Sequence, residues 1–124
     1  MGSPMAGAVP RRVGVALLAL ALLAACSSGG QERPAPPVET DRVSMAKSYR
    51  FDPPVARVAV GATVTWTNDD NFTHDVHLLE PVEWRSRPLR PGERVSYTFQ
   101  EPGTYRYECS FHPHDMRGTV VVGP

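Results

Sequence analysis

Short runs in which apolar and polar residues alternate occupy most of the chain from residue 55 to residue 122. Val64 and Trp66 share one side of such a run, and Tyr105, Tyr107 and Cys109 share one side of another. Successive side chains of a β-strand point to opposite faces, so each run offers one face to a core. The runs predict six strands, at residues 55–60, 62–68, 74–79, 93–100, 104–109 and 119–122.

Turn sequences separate these runs, and no helical periodicity competes with them. Pro91-Gly92 and Pro102-Gly103 are examples, since proline presets its own backbone angle and glycine adopts angles that other residues avoid. Short strands that recur at this spacing are typical of a two-sheet protein. We therefore predict an all-β fold, a Greek-key β-sandwich.

The chain before residue 43 has a different character. All ten aromatic residues lie between Tyr49 and Phe111. Arg11 and Arg12 precede an apolar run at residues 13–25, which is shorter than the roughly 20 residues of a membrane-spanning helix and suits a signal peptide. The sequence predicts a signal peptide at 1–25, a proline-rich flexible tether at 26–42 and a folded domain at 43–124.

The end of the apolar run resembles a bacterial lipobox. Leu23-Ala24-Ala25 is followed by Cys26, the residue that would become the lipidated N-terminus after cleavage. We expect an exported protein that is anchored to a membrane through lipid on Cys26 and faces the periplasm or the cell exterior. An ordinary signal peptide is the alternative reading, and the sequence leaves both the general secretory and the twin-arginine export routes open.

Charge excludes one class of partner. Thirteen basic and thirteen acidic residues balance, and loss of the signal peptide would remove two arginines and no acid. The charges are scattered, without a run of five or six residues of like sign that could serve as a binding tail. Nucleic-acid binding is therefore not expected.

Candidate metal ligands concentrate in one short segment. Cys109 is followed by His112, His114 and Met116, and a lone cysteine in an exported protein needs a role other than a disulfide. Thiolate, imidazole and thioether are the donors that suit copper in a trigonal site with a weak axial ligand. His74, at the end of a distant run, is the candidate for a second imidazole, whereas His77 has the opposite parity and should point away.

An ordered series of motifs resembles the plastocyanin and amicyanin branch of the cupredoxins. It covers about residues 43 to 123 and includes Phe51-Asp-Pro, Val60-Gly-Ala-Thr-Val-Thr-Trp66-Thr-Asn68-Asp-Asp70, His74-Asp-Val76, Pro91-Gly92-Glu, Pro102-Gly-Thr-Tyr105-Arg-Tyr107-Glu-Cys109 and Met116-Arg-Gly118-Thr-Val-Val-Val122. Because strands and turns match together with the loop, the resemblance does not depend on one motif. It implies a cupredoxin β-sandwich.

The resemblance also implies a ligand set and a function. His74, Cys109, His112 and Met116 would bind one copper ion that cycles between Cu(I) and Cu(II), with His112 preferred to His114 because the family has two residues between cysteine and histidine. The protein would be a monomeric type 1 copper electron carrier, not an enzyme. It would meet redox proteins, such as a cytochrome, oxidase or dehydrogenase, by transient docking.

Three further residues receive roles from the same resemblance. Phe111 and Pro113 flank His112 and would form the apolar docking patch. Asp75 stands where relatives carry an asparagine that helps to tie the ligand loops together. An aspartate would either accept from a backbone N–H or hydroxyl, or add negative charge near copper and favour the oxidised state. The alternative function is a copper-delivery or copper-resistance lipoprotein with a more open, non-blue site, and a metal-free adhesion module is a third.

Overall fold

The computed structural model describes residues 33–124 and, before them, residues 2–4, 7, 10, 14 and 16. Most of the predicted signal peptide, Cys26 and residues 27–32 of the predicted tether lie outside the described residues. Residues 33–124 form one unit. No helix in the described part of the chain is long and apolar enough to cross a bilayer.

Ten strands build the unit, and the predicted all-β sandwich is confirmed. In chain order they are β1 Val38–Glu39, β2 Arg42–Ala46, β3 Arg50–Asp52, β4 Val55–Val58, β5 Thr63–Asn68, β6 His77–Leu78, β7 Trp84–Arg85, β8 Arg94–Thr98, β9 Gly103–Glu108 and β10 Arg117–Val122. One sheet has the order β1-β4-β10-β9-β6-β7, and the other has the order β3-β2-β5-β8.

The alternation that predicted the strands is the alternation that fills the core. Val64 and Trp66 on β5 are completely buried, whereas Thr63 is exposed. On β9, Tyr105 and Tyr107 are buried and Arg106 is exposed. The ring of Tyr107 packs edge-on against Trp66 at 5.4 Å, so the two sheets meet through aromatic side chains.

Several strand predictions were incomplete or wrong at the edges. Strands β1, β3 and β7 were not predicted, and β1 falls inside the segment that was predicted to be tether. The predicted strand at 74–79 shrinks to β6, with His74 joined to Leu89 by a single bridge. His74, Asp75 and Val76 are buried in succession, which a continuous two-faced strand cannot achieve.

The topology brings distant parts of the chain to one end of the sandwich. Strand β9 ends at Glu108, directly before Cys109, and β10 begins directly after Met116, so the antiparallel pair presents the intervening loop at that end. Strand β6 pairs with β9 through His77 and Glu108. This pairing carries His74 to the same end as Cys109.

Candidate metal centre

The loop from Cys109 to Met116 is closed by its own backbone. The Cys109 N–H donates to the Met116 carbonyl at 3.0 Å, and the Met116 N–H donates to the His112 carbonyl at 3.0 Å. The His112 N–H in turn donates to the Cys109 carbonyl at 3.0 Å. The three predicted loop donors are therefore held at fixed backbone positions.

The structure brings His74 and Cys109 together. Nδ1 of His74 lies 3.6 Å from Sγ of Cys109, and both residues are completely buried. Two donors that share one metal through bonds of about 2.0–2.3 Å lie at such a separation. Burial raises the pKa of the Cys109 thiol, against the opposing effect of the backbone N–H groups of Asp75 and Phe111.

Met116 and His112, the other two predicted ligands of the loop, lie at different depths. Met116 is completely buried, and His112 is half-buried with its ring centroid 5.6 Å from that of His74. Within the described residues, no three His, Cys, Asp or Glu side chains are grouped closely enough to hold a metal by themselves. The donors that fit copper are thus the close pair His74 and Cys109, the buried thioether and the adjacent His112 ring.

The other two histidines are not part of this group. His114 is exposed. His77 lies on β6 opposite Glu108, with its Nδ1 3.7 Å from Oε1 of that residue. Because Glu108 faces away from the core on β9, His77 is on the outer face of the sheet, although the continuous strand at 74–79 that the parity argument assumed does not form.

Asp75 ties the two ligand segments together. Its Oδ1 accepts a hydrogen bond from the Ser110 N–H at 2.7 Å, and its Oδ2 accepts one from the Ser110 hydroxyl. Arg85 places Nε 3.9 Å from Oδ2 of this buried carboxylate. Of the two roles expected for Asp75, the structure shows the acceptor role, and the carboxylate also places negative charge beside Cys109.

Sequence reasoning missed Asp70. Its Oδ2 lies 2.8 Å from Nε2 of His74, on the opposite side of the ring from Cys109, so the two bonds fix the ring orientation. Burial alone would raise the pKa of Asp70, but the His74 hydrogen bond and the Asn71 N–H lower it below its usual value. The available signal was an acidic residue four positions before the histidine.

Asn68 and Tyr49 were missed as well. Asn68 is buried and donates through Nδ2 to the carbonyls of Leu89 and Phe72, at 2.9 and 2.7 Å, which braces the segment that carries His74. The ring of Tyr49 lies 4.4 Å from that of His112. Tyr49 carried no sequence signal, because it belongs to a turn far from the loop in the chain.

Exposed apolar side chains lie near His112. Phe111 is 52% exposed, Pro113 is half-buried, and Phe72 from a separate segment is 54% exposed. Large apolar side chains exposed around one half-buried residue are typical of contact surfaces. The predicted patch of Phe111 and Pro113 thus lies beside His112 in the structure.

Comparisons with known proteins agree with this architecture. Residues 38–123 match the family of copper binding proteins described as the plastocyanin/azurin family. Amicyanin-alpha of Methylorubrum extorquens is 37% identical over 115 residues, which cover 86% of this chain and 92% of that protein. Amicyanin of Paracoccus denitrificans is 39% identical over 84 residues, which cover 64% of this chain and 63% of that protein.

A solved structure gives the same result for the fold. A purple cupredoxin from Nitrosopumilus maritimus superimposes with a TM-score of 0.60 at 32% identity, over 66% of this chain and 98% of that one. The sandwich of residues 33–124 therefore has the cupredoxin fold.

Proposed function

The chain belongs to the plastocyanin/azurin family of copper-binding proteins, and we propose that it is a type 1 (blue) copper protein that carries single electrons between redox partners. The observation that carries the proposal is the buried pair of His74 Nδ1 and Cys109 Sγ at 3.6 Å, with Met116 buried and His112 half-buried in the same loop. Copper, when bound there by His74, Cys109, His112 and Met116, supplies a one-electron couple.

The protein's contribution is to keep the ligands in one arrangement. Asp70 fixes the His74 ring, Asp75 ties Ser110 to the His74 segment, and the backbone bonds of the loop fix Cys109 relative to Met116. Burial of Cys109 keeps water away from the thiol. A site held in this way needs little rearrangement when its charge changes, which favours fast electron transfer.

The apolar patch supports transfer to other proteins. His112 is half-buried and follows the exposed Phe111 and precedes the half-buried Pro113, so it would be the copper ligand nearest to a docked partner. Small apolar contacts that dissociate readily suit a carrier that must leave its partner after each electron. The proposed partners are redox proteins that dock on this patch.

Copper addition to the full-length protein, purified in detergent, tests the function. We expect an intense thiolate-to-copper absorption band and an electron-paramagnetic spectrum with a narrow copper splitting, together with a reversible one-electron wave in voltammetry. The band should disappear in Cys109→Ser and in His112→Ala. His114→Ala is the matched control for the second variant and should keep the band.

Two results of the copper-binding experiment would contradict the proposal. A colourless or weakly coloured complex that exchanges copper readily would favour copper delivery or resistance instead of electron transfer. Equal loss of the band in His112→Ala and His114→Ala would contradict the assignment of His112.

The location of the carrier is a separate part of the proposal. The lipobox-like sequence before Cys26 supports a lipid anchor, with the domain facing the periplasm or the cell exterior. Cys26→Ser should move the protein from the membrane fraction to the soluble fraction and abolish fatty-acid labelling. Cys109→Ser, the matched control, should remain labelled and membrane-bound; labelling of Cys26→Ser would exclude this anchor.

A further inference from the structure

The turn between β2 and β3 has an unusual backbone. Ala46 pairs with Arg50 across the hairpin, and Ser48 and Tyr49 between them have φ values of 71° and 56°. Glycine is the residue that normally occupies such left-handed positions, and a bulky side chain there is rare. A turn of this shape with tyrosine in it indicates that the side chain is needed at that place.

The Tyr49 ring reaches the metal centre from the opposite sheet. Its centroid lies 4.4 Å from that of His112 and 6.0 Å from that of His74, which it meets edge-on. On its other side it stacks on Phe72 at 5.4 Å, with an interplanar angle of 25°. The ring therefore packs against His112 and Phe72 and lies near His74.

The two imidazoles are held by different means. His74 is oriented by polar contacts at both nitrogens, with Asp70 on one side and Cys109 on the other. His112 belongs to a loop, is half-buried, and has the Tyr49 ring as its nearest aromatic neighbour. The orientation of His112 thus depends on packing, whereas the orientation of His74 depends on hydrogen bonds.

We propose that Tyr49 is a positioning residue, held by the left-handed turn, that keeps the His112 imidazole in the orientation required at the metal centre. This inference rests on the proposed copper site. It assigns to the β2–β3 turn a role that a turn with glycine at position 49 could not fill, because the turn must place a planar ring against His112. The ring, not the hydroxyl, carries the effect.

Four variants of the full-length protein in detergent separate the ring from the turn. Tyr49→Leu and Tyr49→Met keep an apolar side chain but remove the aromatic ring. Two such variants are used so that the test still works if one of them folds poorly. Tyr49→Phe keeps the plane. Ser48→Gly is the matched control, since it relaxes the turn at an exposed position without changing the ring.

The first measurement uses the metal-free protein and follows the histidine side chains by NMR. We expect the ring signals of His112 to broaden through exchange in Tyr49→Leu and Tyr49→Met, while those of His74 stay unchanged. Tyr49→Phe and Ser48→Gly should resemble the wild type. Because no copper is present, this result does not depend on the proposed function.

The second measurement uses the copper-loaded protein and follows copper transfer to a chelator. We expect release to be about 2–10-fold faster in Tyr49→Leu and Tyr49→Met, the range that an aromatic ring pair contributes. The proposal would be overturned if Tyr49→Leu and Tyr49→Met both released copper at the wild-type rate and left the His112 signals unchanged. It would also be overturned if Ser48→Gly accelerated copper release and broadened the His112 signals as strongly as these two variants. A wild-type protein without the blue band would instead contradict the proposed function and leave the metal-free result to decide on Tyr49.

Discussion

Asp75 combines a structural and an electrostatic effect in one buried side chain. Its two oxygens accept both donors of Ser110, the residue after Cys109, so the carboxylate joins the two segments that carry ligands. The same charge favours the more positive state of a nearby metal, and Arg85 at 3.9 Å offsets it only in part because the arginine side chain is 58% exposed. The net effect should stabilise the oxidised state.

We therefore expect Asp75→Asn to raise the reduction potential by on the order of 100 mV, the effect of removing one charge from roughly 7 Å in a medium of effective dielectric constant near 20. Asparagine can still accept the Ser110 N–H, so the segments should stay joined. Voltammetry of the copper-loaded protein measures the shift. Asp69→Asn, which removes an exposed carboxylate of the neighbouring loop, should change the potential far less; an unchanged or lower potential in Asp75→Asn would count against the argument.

The sequence pointed to candidate donors for a metal centre but not to the residues that support them. Residue chemistry alone singled out Cys109, Met116 and His74, and family spacing added the choice of His112. Asp70 and Tyr49 were not identified, because a carboxylate or a ring shows its role only when the fold places it beside an imidazole. Such roles depend on contacts between segments, which have no periodicity in the chain.

Strands were predictable where one face is buried over several residues. Strand β5, with buried residues at every second position, is the clearest case. Strands β1, β6 and β7 have two residues each, which is too short for an alternating pattern to appear. Their existence depends on edges offered by β4 and β9, so local sequence could not reveal them.

Gly118 on β10 shows how closely neighbouring strands are packed. It lies opposite Tyr107, and a Cβ added at Gly118 would lie 2.3 Å from Cζ of that ring. We expect Gly118→Ala to lower the free energy of unfolding by about 1–3 kcal/mol, as overpacking does in cores. Thermal unfolding measures the loss, and Gly123→Ala, where a Cβ meets nothing within 4 Å, is the control. Equal melting temperatures for the two variants would refute the packing argument.

Strand β1 pairs with the sandwich although it lies in the segment that was predicted to be tether. Val38 and Glu39 pair with Ala56 and Arg57, and the Thr40 N–H donates to the Arg57 carbonyl at 3.3 Å. Deletion of residues 27–41 should therefore lower the melting temperature by a few degrees, whereas deletion of residues 27–32 should leave it unchanged. Equal melting temperatures for the two deletion variants would show that β1 adds nothing to stability and that the folded domain begins at β2.

At the scale of the whole molecule, the metal centre is a group of polar residues buried at one end of a small sandwich. His74, Asp70, Asp75 and Cys109 are each at most 5% exposed. Burying such groups costs free energy, which their mutual hydrogen bonds offset only in part. A domain of this size has little surplus stability, so a bound metal should contribute a large share.

Copper should therefore stabilise the entire domain, not only the loop. At a free copper concentration about 1,000 times the dissociation constant, linkage gives roughly 4 kcal/mol, which raises the melting temperature of a domain of this length by more than 10 °C. Scanning calorimetry with and without copper measures the shift, and Cys109→Ser, which removes the thiolate ligand but little volume, should show a much smaller one. A similar shift in both proteins would mean that copper stabilises the domain from another site. An effect confined to local signals of residues 109–116 would mean that the sandwich is stable without its metal.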